Sequence, residues 1–180
     1  RGGGRQVTRR LPPQARLLGA CLCAASLAAC GDVETRRTRH PDGSPWTEQR
    51  FEGGKANGPL RVWHADGKLA REGGFVDGHM HGEWRTFEAD GRPLLEARYE
   101  RGQMDGPWLE YWPSGKLRTK GQYRGGLPDG LWEEYFETGV KAREGAFQGG
   151  EKHGLWTGWN PDGTVQGTAR YEDGRYMGRR

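Results

Sequence analysis

The chain has 180 residues and a formal net charge of +4, from 28 Lys and Arg against 24 Asp and Glu. Five of the arginines precede Cys30, in a stretch without acidic residues, and the remaining chain carries 23 basic and 24 acidic side chains. Because interspersed charges of both signs form no broad basic surface for phosphates, this balance excludes nucleic acid as the expected partner.

Residues 1–29 have the charge order of a secretory signal peptide. A basic stretch ends at Arg16, and the apolar run from Leu17 to Ala29 is, at 13 residues, too short to span a bilayer. The run ends in Leu27-Ala28-Ala29-Cys30, which resembles the bacterial lipobox. The resemblance implies that Cys30 is acylated and becomes the first mature residue. The alternative is an ordinary small-residue cleavage site with an incidental cysteine.

The expected location is the bacterial cell envelope, with the chain held on the membrane by the lipid at Cys30. Pro12 and Pro13 weaken the match of Thr8-Arg9-Arg10 to a twin-arginine signal, so the export route stays open. Gly31 fits the outer-membrane default of lipoproteins by resemblance, on the periplasmic face or the surface. Residues 30–41 contain three arginines and show no periodicity, which predicts a flexible tether of about 20 Å. A folded domain is expected at 42–180.

From Pro41 onward the sequence repeats every 24 residues without insertion, in five full units and a partial sixth. A glycine column runs from Gly43 to Gly163, and an aromatic column runs from Phe51 to Tyr171. Two further aromatic columns lie between them. One consists of Trp84, Trp108, Trp132 and Trp156, and the other of Trp63, Phe87, Tyr111, Tyr135 and Trp159.

Each unit holds two strand-like runs joined by turn residues, which predicts a β-hairpin repeat. One connection is Asp-Gly, as at Asp66-Gly67, a dipeptide that accepts positive φ. The other is Gly-x-x-x-Gly, with a local hydrogen-bonding residue before the second glycine. The predicted structural turn glycines are Gly78, Gly82, Gly102, Gly106, Gly126, Gly130, Gly150 and Gly154.

The predicted fold class is all-β, a long, single-layer, twisted antiparallel β-meander. Leu, Ile and Val are few, so aromatic side chains must supply the packing. Equivalent side chains of successive hairpins should lie about 9.6 Å apart across the sheet. Trp84 and Phe87 are three residues apart, so they face opposite sides of the strand unless a bulge intervenes.

The pattern Tyr-x-x-Gly-x-x-x-Gly-x-Trp-x-x-Tyr, at Tyr99–Tyr111 and Tyr123–Tyr135, resembles the MORN repeat variant family. These proteins are bacterial relatives of the membrane occupation and recognition nexus repeats. The resemblance covers about 42–178 and implies a single antiparallel sheet that binds or scaffolds a partner. Some members carry an antitoxin label. Leu60 in the tryptophan column and the incomplete last unit depart from the pattern, as terminal caps do.

No catalytic residue, metal site or cofactor is predicted, and the chain is not expected to be an enzyme. His79-Met80-His81 offers two imidazoles, but no Cys or acidic cluster completes a four-ligand set. The glycines lack the Gly-Lys-Ser/Thr of a P-loop, and no Gly-x-Ser-x-Gly elbow is present. A nucleophile, a base and an orienting group that converge in a pocket are therefore not recognisable.

Two interpretations of the aromatic columns stay open: they pack the sheet, or one column faces solvent as a binding ladder. The candidate ladder residues are Trp84, Trp108, Trp132, Trp156, Phe87, Tyr111, Tyr135 and Trp159. The first functional hypothesis is a membrane-anchored scaffold or adaptor for a protein partner. The alternatives are an antitoxin-like or immunity protein that neutralises a toxin, and binding of glycan or cell wall through the ladder.

Overall fold

In the computed structural model, residues 32–179 are described, and they form one open antiparallel sheet. Its strands follow one another as neighbours in chain order, except that the short β9 pairs only with β8. The predicted all-β meander of hairpin repeats is confirmed. The strands are β1 (Val33–Arg39), β2 (Pro45–Glu52), β3 (Lys55–Trp63), β4 (Leu69–Val76), β5 (His79–Phe87), β6 (Pro93–Glu100), β7 (Gln103–Tyr111), β8 (Leu117–Arg124), β9 (Leu127–Pro128), β10 (Gly130–Tyr135), β11 (Lys141–Gln148), β12 (Glu151–Trp159), β13 (Val165–Glu172) and β14 (Arg175–Arg179).

The first strand corrects one prediction. The sequence predicts a flexible tether up to residue 41, but β1 pairs with β2 from Val33 opposite Glu52 to Arg39 opposite Pro45. Every side chain of β1 is exposed. The strand therefore needs no apolar residues, because backbone hydrogen bonds hold it, and its arginines make an edge that discourages pairing with another sheet. Cys30 and the signal segment lie outside the described residues, within which no helix has the length and hydropathy to cross a bilayer.

The first type of connection, represented by Asp66-Gly67, is a tight turn in which the glycine alone has a positive φ. Gly67 has a φ of 83°, and its amide donates to the carbonyl of His64 at 2.9 Å. The Asp66 carboxylate accepts a hydrogen bond from the Lys68 amide at 3.0 Å. The aspartate thus closes the turn through its side chain, and the glycine supplies the backbone conformation.

The second connection is shorter than the sequence predicts. Both residues of Asp77-Gly78 have positive φ, 51° and 85°, which makes a two-residue type I′ turn. Gly102, Gly126 and Gly150 lie in the equivalent turns. The second glycine of three Gly-x-x-x-Gly connections instead lies inside a strand, where the register shifts at a β-bulge. These bulge glycines are Gly82, Gly106 and Gly154. Gly130 begins β10 after the short β9, and all four glycines have positive φ.

Each two-residue turn is bonded to the unit before it. The amide of Gly78 donates to the carbonyl of Ala56, and the amide of Gly102 donates to the carbonyl of Met80, both at 2.8 Å. The same bond recurs at Gly126, Gly150 and Gly174. The turn amides therefore form a continuous row of hydrogen bonds along one margin of the sheet, and each unit depends on its predecessor for an acceptor.

The two faces of the sheet carry different side chains. Trp84 is in register with Ala97, and Trp108, Trp132 and Trp156 hold the same position in later units. We call the face that carries these four tryptophans the indole face. Their neighbours along each strand point the other way, because side chains alternate in a strand, and we call that side the charged face.

Candidate binding surfaces on the two faces

The tryptophan column interlocks with the Phe/Tyr column on the indole face. The ring centroid of Trp132 lies 5.3 Å from that of Tyr123 and 5.7 Å from that of Phe147, both edge to face. Trp84 and Trp156 are 7% and 6% exposed. Such ring pairs contribute about 0.5–1.5 kcal/mol each beyond the burial of apolar area. Half of the candidate ladder is therefore engaged in packing the sheet.

Glycines make room for the indoles. An ideal Cβ added at Gly145 would stand 2.1 Å from the indole of Trp156, and one at Gly73 would stand 2.2 Å from that of Trp84. At Gly121 the distance to the indole of Trp132 would be 2.4 Å. These distances are far shorter than van der Waals contact, so the indoles can lie flat on the neighbouring strand only where that strand carries no side chain.

The aromatic row is interrupted at Ala97. This residue holds the position of Gly73, Gly121 and Gly145, and it is buried between Trp84 and Trp108. From Phe75 to Tyr176 in the described sheet, Tyr99 and Trp108 form the one neighbouring pair of the row without a ring contact. The methyl group of Ala97 occupies the space that an indole takes elsewhere, so Trp108 contacts Tyr123 alone.

Polar side chains complete the amino-terminal end of the row. The guanidinium of Arg36 lies 4.2 Å from the ring centroid of Phe51, where later units place a tryptophan. Leu60 holds the tryptophan position of the first unit and has no side-chain N–H to donate. The Gln49 side chain donates instead to the carbonyl of Arg50 at 2.8 Å, just as the indole of Trp156 donates to Ala146. Gln49 and Arg36 thus replace the missing indoles.

The second aromatic column lies on the charged face. The Tyr111 hydroxyl donates to Glu96 at 3.1 Å, and Glu96 adjoins Ala97 of the indole face. The ring of Trp159 is approached by Lys141, whose ammonium also binds Glu133. Phe87 and Tyr135 belong to the same column. The eight ladder candidates are therefore split between opposite faces, and the register shift beside Phe87 adds its extra residue to β6, not to β5.

Basic and acidic residues alternate across the first six strands of the charged face. Register pairing aligns Arg37, Glu48, Arg61, Glu72, Arg85 and Glu96. Arg37 contacts Glu48 at 2.6 Å and Arg85 contacts Glu72 at 3.6 Å. Exposed ion pairs contribute at most about 1 kcal/mol each. Their alternation matters more for strand order, because pairing with the next strand but one would place like charges opposite each other.

The most enclosed carboxylate of the charged face is Glu133, whose side chain is 12% exposed. Lys141 binds it at 2.7 Å and Lys120 lies 3.6 Å away. The hydrogen bond from Lys141 lowers the pKa of Glu133, and the hydrogen bonds that Lys141 donates to Glu133 and Glu144 raise the pKa of Lys141. Glu133 and Glu144 are in register, so Lys141 screens two carboxylates that would otherwise repel.

Three leucines are left uncovered on the charged face of the later units. Leu127, Leu131 and Leu155 are 51%, 55% and 53% exposed. Leu131 and Leu155 occupy the same column, in which the second unit has Glu83. Since a charged residue is accepted at this position, the fold does not require a leucine there. The exposed leucines therefore form an apolar patch of the kind that marks an interaction site.

A groove crosses the indole face beside the aromatic row, on the side of the Asp-Gly turns. Its volume is about 720 Å³, and it runs over strands from β8 to β13. The principal lining side chains are Trp112, Arg118, Glu134, Phe136, Arg143 and Asn160, and Tyr135 and Trp159 also border it. The sequence does not single out Trp112 or Phe136, because their column also contains His64, Glu88 and Asn160 and so shows no constant residue type.

The histidine pair of β5 has no metal-binding surroundings. His81 lies 3.5 Å from Glu100, and His79 lies beside Gly102. Among residues 32–179, no three His, Cys, Asp or Glu side chains are grouped to hold a metal ion. The pair is therefore part of an exposed hairpin in which His81 adjoins one carboxylate.

The later units are similar to a known repeat family in their regular strands, turn glycines and indole positions. Residues 104–124, 128–148 and 152–173 match one family model in three consecutive segments. These segments are similar to the MORN repeat variant. MORN repeats are often protein- or membrane-interaction modules and are generally non-catalytic. The earlier units keep the same 24-residue period outside the matched segments. No curated protein matches the chain.

Proposed function

We propose that this chain is a non-catalytic scaffold that is anchored to the bacterial cell envelope through a lipid on Cys30 and recruits a protein partner. The observation that carries the proposal is the row of exposed leucines on the charged face of an open sheet. The MORN repeat variant match supports it, because repeats of this kind are often interaction modules.

The leucine surface has the composition of a protein interface. Leu131 and Leu155 lie in two successive matched segments and Leu127 directly precedes the first of them, and all three offer apolar side chains that no neighbouring element covers in the described sheet. Charged groups border them, including Arg170, which is in register with Leu155. An apolar centre with a polar rim is the usual arrangement at protein interfaces, where a few central side chains supply most of the affinity.

The partner is tested by affinity capture from envelope fractions with the full chain as bait. Leu131→Glu with Leu155→Glu copies the residue that the array itself carries at Glu83, so the variant should fold as the parent does. We expect a stoichiometric protein that the parent retains and the double variant loses. Equal recovery on both baits would place the partner elsewhere, and absence of any stoichiometric protein would contradict the scaffold.

The control is Glu83→Gln, which changes the same column outside the leucine surface and should leave recovery unchanged. The identity of the captured protein separates the two protein-binding hypotheses. A toxin as the specific partner would make the chain antitoxin-like, and a structural or enzymatic envelope protein would make it an adaptor. A toxin gene beside this gene would independently favour the antitoxin-like role.

The anchor is tested separately by metabolic labelling with a fatty-acid analogue that carries an alkyne. The lipobox resemblance predicts label on the parent chain and none on Cys30→Ser, with Cys21→Ser as the matched control that stays labelled. Fractionation of the labelled protein tests the expected outer-membrane location. Label that persists on Cys30→Ser would contradict the anchor and leave the leucine surface as a separate question.

A further inference from the structure

The groove on the indole face is elongated across the sheet. Trp112, Phe136 and Asn160 are equivalent residues of three successive units, and equivalent positions lie about 9.6 Å apart because two strands separate them. The groove therefore presents two aromatic rings and one amide at a regular interval. This arrangement fits a linear ligand with its own repeat better than a single small molecule.

One aromatic wall of the groove, Trp112, is held in place before any ligand binds. The indole N–H of Trp112 donates to the carbonyl of Tyr135 at 3.1 Å, and the guanidinium of Arg118 stacks 4.7 Å from the indole centroid. Trp112 and Phe136 are both half-buried. A ring fixed in this way loses little conformational entropy on binding, so it is a ready platform for a flat, weakly polar surface such as the C–H face of a sugar ring.

Planar polar groups stand between the aromatic rings. Arg143 contacts Glu134 at 3.2 Å, and Arg118 contacts Glu110 at 3.0 Å. Asn160 and Gln166 add two amides, each with donors and an acceptor. Guanidinium, carboxylate and amide groups bind neighbouring hydroxyls in pairs, which is the hydrogen-bonding pattern that a sugar presents and that an aliphatic ligand lacks.

The charge of the groove selects a neutral ligand. Each arginine of the lining is paired with a carboxylate, so a phosphate or sulfate chain would meet a like charge beside each guanidinium. An extended peptide is also disfavoured, since strand addition requires an unpaired sheet edge. The groove instead crosses β8, β10, β11, β12 and β13, which are hydrogen-bonded to one another.

We propose that this groove binds a neutral linear oligosaccharide, with the sugar rings on Trp112 and Phe136 and the hydroxyls on Glu134, Arg143 and Asn160. The site goes beyond the proposed protein-binding role and lies on the opposite face of the sheet from the leucine surface. It uses side chains outside the tryptophan column, whose rings are engaged in packing.

The test measures binding of chitohexaose and cellohexaose to the full chain in detergent, by calorimetry and by tryptophan fluorescence. We expect saturable binding of at least one hexasaccharide. Arg143→Gln should weaken it about tenfold or more, as expected for loss of a hydrogen bond from a charged group. The matched control is Arg71→Gln, at the equivalent position three units earlier and outside the groove, which should bind like the parent.

Arg143 is an exposed residue, so its replacement should leave the thermal unfolding temperature unchanged. A second variant, Trp112→Phe, keeps an aromatic ring at this position. Failure of the parent to bind either hexasaccharide would overturn the proposal. Equal affinity of Arg143→Gln and Arg71→Gln would overturn the placement of the site. Tighter binding of a sulfated heparin hexasaccharide, or of a peptide whose binding Arg143→Gln abolishes, would replace the ligand class proposed here.

Discussion

Gly145 lies beneath the indole of Trp156, so closely that a Cβ at this glycine would stand 2.1 Å from the ring. The same residue is in register with Trp132 on the other neighbouring strand. A glycine between two tryptophans is thus what allows adjacent hairpins to share one packed aromatic row.

Gly145→Ala should destabilise the sheet by about 1–3 kcal/mol, because the added methyl group displaces an indole from a closely packed position. Chemical denaturation followed by tryptophan fluorescence measures the loss. Gly167→Ala is the matched control, since its new Cβ meets nothing within 4 Å. Equal stability of the two variants would show that the indole of Trp156 moves without cost.

Ala97→Gly should restore the missing contact between Tyr99 and Trp108. Removal of the methyl group lets the indole of Trp108 lie over β6, as Trp84 does over Gly73. The gain of a ring pair, about 0.5–1.5 kcal/mol, is offset by the lower strand propensity of glycine. We therefore expect little change in stability but a stronger near-ultraviolet circular dichroism signal. An unchanged spectrum, with Trp108→Phe as the reference for assignment, would contradict this account of the interruption.

Lys141→Leu should expose the repulsion between Glu133 and Glu144. The change copies Leu117 of the preceding unit, so it is sterically acceptable, and the expected loss is about 1–3 kcal/mol near neutral pH. Adding Glu144→Lys copies Lys120 as well and returns a cation to Glu133, which should recover most of the stability. A double variant no more stable than Lys141→Leu would contradict the screening role.

The same cluster sets a pH dependence with a definite sign. The folded-state pKa of Glu133 is lowered by Lys141, so its contribution is full above the ordinary value of 4.5 and is lost as the pH falls through the lowered pKa. The pKa of Lys141 is raised by Glu133 and Glu144, so its contribution is full below the ordinary value of 10.5 and is lost at higher pH. Glu133→Gln should flatten the acid side of the stability curve, as measured by thermal unfolding across pH.

The Asp-Gly turns add to acid sensitivity. The hydrogen bond from the Lys68 amide lowers the pKa of Asp66, so this interaction is complete above the ordinary value of 3.8 and is lost as the pH falls through the lowered pKa. Asp66→Ala should lower the unfolding temperature at neutral pH, and Asp66→Asn should largely preserve it because the amide oxygen still accepts the bond. Equal losses in both variants would mean that the turn requires the charge.

The period of 24 residues was sufficient to predict the hairpins, since turn glycines and aromatic residues recur at constant spacing from Gly43 onward. The indole positions were predictable for the same reason. The strand Val33–Arg39 was not, because its side chains are all exposed and only backbone hydrogen bonds place it in the sheet. A pattern based on hydrophobicity cannot detect a strand that buries nothing.

The three-residue spacing of Trp84 and Phe87 predicted opposite faces only if β5 contained no bulge between them. The structure shows that β5 has none there. The register shift lies on the partner strand, which the sequence of β5 does not reveal. The groove was hidden for another reason. Trp112 and Phe136 become neighbours only through the stacking of units, and their column varies from one unit to the next.

The hydrogen bond from each turn glycine to the preceding unit gives the array a growth direction. The Gly102 amide donates to the carbonyl of Met80, so each of these turn amides takes its acceptor from the preceding unit. Whole units removed from the carboxyl side would leave every remaining turn amide with its acceptor, and units removed from the amino side would orphan one. Arrays shortened from the carboxyl side, which retain residues 32–54, should therefore be more stable than arrays of equal length shortened from the amino side. For the same reason, such a protein lengthens with less loss of stability when a unit is duplicated after the last one.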